Sequence, residues 1–482
     1  MPASHIISIH IGGTGVNQAA PLWDQMCLEH NINASSGEPL AGAPPLVGDH
    51  KEVMFSETCN GRFQPRAILV DIDADDINQL RRSPQGSLFN PSQFLSNVKC
   101  TGTGGLFAGA YKDGDVHQCL DDATMDALRK EVERSDRKFE LQIFHSISGG
   151  TGSGLYQRIL DQIKLSFPLT PILTYSLYPS VMRGRLTKHP MQDLNAMMAI
   201  GASIETVLST VLDNDGLSRF AESQMGVADP TYADCNQVVA ELCSHITATQ
   251  RLKSDIDSGS LSRLWTSLVP YPRISFLLPK YVANAASLED TINALSKDTS
   301  FLADSVAVNE RDSCEEKMAT MLFARGEGSK LQVINSLASI AETVKQEEME
   351  RGQGKRSVFK GPRALEVEHT DFAPQPYHVV HSHVPINRRR IPAEDDTGLS
   401  SFTAASLSAD CKVRKVFIKI SDHFDLFWAK RAFAHHLSKA GLEQGEVSER
   451  REDLAALTYD YVLGPGCCCC CEYEEGEEED EY

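Results

Sequence analysis

The stretch Leu141-Gln142-Ile143-Phe144-His145-Ser146-Ile147-Ser148-Gly149-Gly150-Thr151-Gly152-Ser153-Gly154-Leu155-Tyr156 decides the fold. Its first seven residues read as a short apolar strand. Leu155, Tyr156, Ile159, Leu160 and Ile163 then recur at helical spacing. Between them lies a glycine loop. A strand, a glycine loop and a helix N-terminus together make an anion site: glycine lets the backbone come close with its N–H groups inward, and the helix dipole favours phosphate. No Gly-Lys-Ser/Thr follows, so the loop is not a P-loop. Its glycines fall as Gly-x-Gly-x-Gly, which also departs from a dinucleotide fingerprint. A glycine cluster alone is often only a tight turn, so the rest of the chain must decide.

The same theme repeats on either side. We expect strands at Ile6–Ile11, Ala67–Asp71, Leu141–Ile147, Ile172–Leu177 and Thr206–Leu212, most of them followed by a helix. Each ends in a cluster suited to a ligand: Gly12-Gly13-Thr14-Gly15, Asp71-Ile72-Asp73, the central glycine loop, Tyr178-Pro179 and Asp213-Asn214. Strands alternating with helices predict an α/β fold with a doubly wound, mostly parallel sheet. Ligands of such sheets lie beyond the carboxyl ends of the strands, so the clusters should converge on one crevice.

Pro230 opens a long central helix whose apolar stripe is Val238, Val239, Leu242, Cys243 and Ile246. A mixed region follows, with strand-like Ile274–Leu278, Met318–Ala324 and Tyr377–Val380 and a charged, proline-containing loop over 384–400. Val413, Val416, Phe417, Ile420, Phe424 and Phe427 mark another helix; Leu454, Leu457 and Tyr461 mark a last one, with Ser448 as its expected cap. Gly464-Pro465-Gly466 should stop it, and the tail beyond should not fold. The division this implies is 1–213 nucleotide-binding domain, 214–253 central helix and connector, 254–400 a smaller α/β intermediate domain, 401–463 a C-terminal helical hairpin, and 464–482 a disordered cysteine block and acidic tail.

Composition narrows the class. The 482 residues are 41 % hydrophobic and 23 % charged, ordinary for a soluble globular chain large enough for two or three domains. The N-terminus runs almost at once into an alternating strand rather than a leader, and no apolar stretch reaches a membrane span, so we expect no transmembrane segment and a cytosolic or nuclear location. Of 13 cysteines, eight are scattered without a Cys-x-x-Cys pair and five form the block Cys467–Cys471; we read them as reduced thiols rather than a disulfide framework. The net charge is −20, and residues 472–482 hold eight carboxylates and no base. So acidic a chain is a poor nucleic-acid binder and suits basic partners.

The ordered residues resemble the tubulin family, its α-chains in particular, over nearly the whole length. The resemblance rests on Ser8–Gly12, Cys27–His30, Phe55–Thr58, Pro65–Ala67, the glycine loop, Pro230–Tyr232, Leu268-Val269-Pro270-Tyr271-Pro272-Arg273, Phe424–Leu426, Ala429–Phe433, Glu443–Glu446 and Arg451–Leu457. An acidic tail ending in Tyr482 is a further α-chain trait. The resemblance implies GTP with Mg²⁺ in the crevice. By position, Gly12, Gly13 and Thr14 match a first phosphate loop; Asp71 and Asp73 match the acidic pair near the metal, with Asp73 one methylene shorter than the family's glutamate. Ser146, Gly149, Gly150, Thr151 and Gly152 match the main phosphate loop. Asn214 and Asn236 match residues that read the guanine edge and ribose, and Tyr232 the ring that stacks on the base. Arg185 falls where a threonine is expected. The chemistry is consistent, because amides read a base edge and an aromatic supplies stacking area.

Departures bear on mechanism. Gly13 stands in place of a glutamine near the phosphates. Cys100–Gly105 replaces an Asp-Ala-Ala-Asn-Asn loop. His189 stands in place of a glutamate near the ribose. The family's α-chain glutamate, which activates water on the neighbouring β-chain's GTP, lies a fixed distance before the Leu-Val-Pro-Tyr-Pro-Arg run; counting back from Leu268 gives Arg263. A guanidinium is no proton acceptor, so no catalytic base remains and slow GTP hydrolysis is expected. The family's acetylated luminal lysine aligns near Gly42, so that mark should be absent. The resemblance implies a divergent α-tubulin subunit, a structural constituent of the cytoskeleton. It would form a heterodimer with β-tubulin, enter microtubules (cytoplasmic, or those of a cilium or axoneme) and meet motors and microtubule-associated proteins through the C-terminal helices and tail. The alternative is a regulatory tubulin-like protein that caps or modulates polymers and binds nucleotide weakly.

Overall fold

The computed structural model describes residues 4–43, 48–97, 103–112, 114–179, 191–204, 207–252, 254, 260–269, 271–283, 287–296, 300–307, 317–326, 377–382, 386 and 402–461. The strands are β1 His5–Ile11, β2 Phe55–Glu57, β3 Phe63–Pro65, β4 Ala67–Asp71, β5 Phe94–Ser96, β6 Phe139–Ser146, β7 Ile172–Tyr178, β8 Leu208–Asp213, β9 Phe276–Val282, β10 Lys317–Gly326, β11 Tyr377–Ser382 and β12 Phe402–Asp410. The α-helices are α1 Gly12–Glu29, α2 Asp75–Arg82, α3 Phe107–Lys112, α4 Gly114–Glu133, α5 Tyr156–Ser166, α6 Gln192–Ser203, α7 Asn214–Gln224, α8 Tyr232–Arg251, α9 Leu261–Leu268, α10 Leu288–Ser296, α11 Asp304–Ala307, α12 Arg414–Ala429, α13 Ala434–Lys439 and α14 Gln444–Asp460.

Ten strands form one sheet in the order β11-β10-β12-β9-β8-β7-β6-β1-β4-β5. From β5 to β9 every pairing is parallel. β12 pairs antiparallel with both β9 and β10, and β11 runs parallel to β10. β1, β4, β7, β8 and β9 are buried at every residue because both faces of the sheet are covered. Side chains alternate across the sheet. Ile7, Ile9 and Ile11 pack with Leu128, Ile159, Leu160 and Ile163 of α4 and α5. Ile6 lies on the opposite side, in the cluster of Val16, Trp23 and Met26 of α1 with Val238, Leu242 and Ile246 of α8. On adjacent strands His10, Phe144 and Tyr175 stack, with centroids 4.8 and 4.5 Å apart.

Two sequence expectations change. β12 lies where the sequence predicts only helices, and all nine of its residues are buried. Ser448 does not cap the last helix: α14 starts at Gln444 after Glu443, whose side chain makes no capping bond, and Ser448 sits inside it. The start of α8 is closer to expectation. Thr231 and Asp234 form a reciprocal capping box there, just after Pro230. The loop over 384–400 lies outside the described residues except for Ile386.

Candidate nucleotide site

Register brings the strand ends together. Ile11 pairs with Val70, His10 with Phe144, Ser146 with Leu177 and Tyr178 with Asp213. The chains therefore leave β1, β4, β6, β7 and β8 at one edge of the sheet. Gly12 begins α1 directly after β1 at a φ of +73°, a left-handed conformation that suits glycine. A Cβ there would lie 3.1 Å from the backbone N of Gly152. The two glycine segments, 140 residues apart in sequence, are thus in backbone contact.

The main loop is held from beneath. His145 is fully buried; its Nδ1 donates to the Gly152 carbonyl at 2.9 Å and its Nε2 meets Ser176 Oγ at 2.8 Å. Burial pulls its pKa down to about 4, so it stays neutral. His10 makes the corresponding bond one strand over, from Nδ1 to the Gly15 carbonyl at 3.0 Å. Ser146 Oγ accepts from Ser148 N at 3.2 Å. Thr151–Leu155 form a π-helical turn that leads into α5. Such turns recur at functional sites.

On the β4 side, Asp71 is 3 % exposed. Burial pushes its pKa up to about 7; the backbone N–H of Asp73 opposes that rise and the charge of Asp76 adds to it. Asp76, in the first turn of α2, accepts from Asn17 Nδ2 at 3.2 Å. Its Oδ2 lies 2.2 Å from where a Cβ on Gly13 would stand. Among the described residues no group of three or more carboxylate, histidine or cysteine side chains is arranged to hold a metal by itself. The oxygen donors do fit Mg²⁺, which commonly keeps one or two carboxylates and takes its other ligands from phosphates and water.

At the other end Asp213 caps α7, accepting from Gly216 N at 2.6 Å and from Asp304 N at 2.8 Å, and so sets Asn214 as the first residue of α7. Asn236 Nδ2 donates to the Asn17 carbonyl at 3.4 Å. That bond ties α8 to the α1 side of the crevice. Tyr232 opens α8 and is 52 % exposed. Arg185 and His189 lie outside the described residues, as does Cys100. Sequence reasoning missed Asp76, Asn17, His145 and Asn195. Only the acidic opening of α2 carried a signal for the first of these; Asn17 and Asn195 act through contacts distant in sequence, and His145 through nearby Gly152 as well as distant Ser176.

Glycine-lined strand ends feeding helix N-termini on a parallel sheet define a doubly wound nucleotide-binding protein. Residues 5–222 match the family model described as Tubulin/FtsZ family, GTPase domain. The chain is 28 % identical over 465 residues to the tubulin alpha-6 chain of Naegleria pringsheimi, covering 95 % of each. It is 28 % identical to the tubulin alpha-1 chain of Arabidopsis thaliana over 99 % of each chain, and 27 % identical to that of Schizosaccharomyces pombe over 95 % of each. The chain is thus similar to tubulin alpha chains along nearly its whole length, and its N-terminal part matches the GTPase domain of the Tubulin/FtsZ family. Among the described residues no helix is long and apolar enough to cross a membrane.

Proposed function

We propose that this chain is a divergent α-type subunit that holds GTP between the Gly12–Thr14 and Ser146–Gly152 loops and pairs with β-tubulin. The observation that carries the reading is the close approach of Gly12 to the Gly152 backbone, which sets two glycine segments from different strands side by side at the carboxyl edge of the sheet. Asn214, Asn236 and Tyr232 supply amides and a stacking face at the far end. Mg²⁺, when bound, would offset phosphate charge beside Asp71 and Asp73; a cation there also favours the ionised form of Asp71 that burial opposes.

α9 carries Arg263. Ser260 caps that helix, and Glu140 Oε2 accepts from Leu261 N at 3.0 Å. Leu261, Leu264 and Leu268 are buried, which leaves Arg263 on the outward side. In this reading α9 faces the neighbouring subunit's GTP with a cation instead of a carboxylate, and hydrolysis at that interface is slow. The C-terminal helices α12 and α14, joined by the Arg451–Asp425 ion pair at 2.7 Å, would meet motors and associated proteins.

The test is co-purification with β-tubulin followed by denaturation and identification of released nucleotide. A one-to-one complex carrying GTP after buffer exchange is expected. A chain that purifies alone and without nucleotide would refute the reading and favour a regulatory relative.

A further inference from the structure

Helix α6 is buried over most of its length, and Asn195 within it is fully inaccessible to solvent. A buried amide is costly unless its hydrogen-bonding groups are used. Here they are. Oδ1 accepts from Phe107 N at 2.8 Å, and Nδ2 donates to the carbonyls of Gly105 at 2.8 Å and Ser148 at 2.9 Å. One side chain therefore bonds to two separate loops, the segment before α3 and the main glycine loop. These loops also touch directly: a Cβ on Gly150 would lie 2.3 Å from Thr103 Oγ1 and 2.7 Å from Leu106 N.

The bond to Ser148 has a directional consequence. A trans peptide is planar, with its C=O and N–H on opposite sides. Fixing the Ser148 carbonyl toward Asn195 turns the N–H of Gly149, in the same peptide unit, the other way. Gly149 borders open space, with no atom within 4 Å of where its Cβ would stand. We propose that Asn195 is a positioning residue that locks the Ser148–Gly149 peptide so that its N–H faces the nucleotide's phosphates, and fixes the 103–107 segment against the same loop. The proposal rests on the GTP-binding reading above. It assigns a role to Asn195, a residue that the resemblance to relatives did not single out.

A side chain that orients a phosphate-facing amide should matter to GTP and not to guanosine. Nucleotide-depleted chain would be titrated with radiolabelled GTP and with guanosine, unmutated and as Asn195→Leu, which keeps the branched shape and removes all three bonds. GTP affinity should fall about tenfold or more, with guanosine affinity unchanged within about twofold. Asn195→Asp retains an acceptor for Phe107 N–H and loses both donors; protonation returns one. Its GTP affinity relative to the unmutated chain should therefore recover as pH falls from 8 to 6. Independently of any variant, GTP should slow hydrogen exchange at the Gly149 amide of the unmutated chain, and guanosine should not. Equal losses for GTP and guanosine, a flat pH ratio for Asn195→Asp, or an unprotected Gly149 amide would overturn the proposal. An unmutated chain that does not bind GTP would overturn the functional reading and this inference together; normal binding by Asn195→Leu would overturn the inference alone.

Discussion

The carboxylate of Asp76 occupies the place where a side chain on Gly13 would begin: an added Cβ would stand 2.2 Å from Asp76 Oδ2. Asn17 holds that carboxylate through a 3.2 Å bond. Where the resemblance implies a glutamine growing from the phosphate loop, this chain has a glycine and an acid reaching in from α2. The clash is with the tip of a short side chain, so Gly13→Gln should be tolerated by rotation of Asp76 and loss of the Asn17 bond. We expect a cost within about 1 kcal/mol in chemical denaturation. In an Asp76→Ala background that cost should vanish, giving a coupling of about 0.5–1 kcal/mol. Additive effects would show that the two positions do not share the space.

His145 predicts an acid-sensitive loop. Unfolded, it titrates near 6.5; folded, burial brings it to about 4. Between these values the native state binds fewer protons than the unfolded state, so stability falls as pH falls. Above pH 6.5 the contribution is intact. At pH 5 the loss should be about 2 kcal/mol relative to pH 7. His10, whose pKa burial lowers to about 3, acts with the same sign, so the readout is a difference. His145→Gln should flatten the pH dependence of the denaturation midpoint by that amount. A variant whose curve parallels the unmutated chain would show that His145 is not a source of the acid sensitivity.

Glu29 sits in a second buried network. Its carboxylate meets Arg251 Nη2 and Arg325 Nη1, each at 2.8 Å, and Ser244 Oγ at 2.6 Å. Burial opposes its ionisation, but Arg325 and Arg251 outweigh that and hold it below the usual carboxylate range. These residues join α1, α8 and β10. Glu29→Gln removes the buried negative charge that Arg251 and Arg325 share and should cost about 3–5 kcal/mol. Arg325→Met leaves Glu29 paired with Arg251 and should cost less. The order of the two denaturation midpoints is the test, and the reverse order would contradict it.

How much of this was legible follows from sequence separation. β1, β4, β6 and β7 read directly because large aliphatic and aromatic side chains recur along them. β12, Phe402-Thr403-Ala404-Ala405-Ser406-Leu407-Ser408-Ala409-Asp410, is equally buried, yet alanine and serine fill it and hydrophobicity gave no signal. Its identity depends on pairing with β9 and β10. The glycine loops were visible because backbone approach demands glycine locally. Asn195 looked like an ordinary polar helix residue, since its partners lie 47 to 90 residues away. Asp76 carried only the signal of an acidic helix start, because its partner Asn17 lies 59 residues away.

Arg263 gives the prediction closest to biology. Ser260 Oγ accepts from Arg263 N at 3.3 Å in the first turn of α9, so the position is set by the helix rather than by a loop. A carboxylate placed there would inherit the same geometry. A general base typically contributes 10²–10⁴-fold. If α9 faces the next subunit's GTP, Arg263→Glu should raise single-turnover hydrolysis in polymers formed with β-tubulin by about a hundredfold. Arg263→Gln, which removes the cation without supplying a base, should change it little. A large fall with Arg263→Gln would instead mean that the guanidinium stabilises transition-state charge, as a cation supplied by a neighbouring subunit can. That result would reverse the assignment of this chain as a slow-hydrolysis partner.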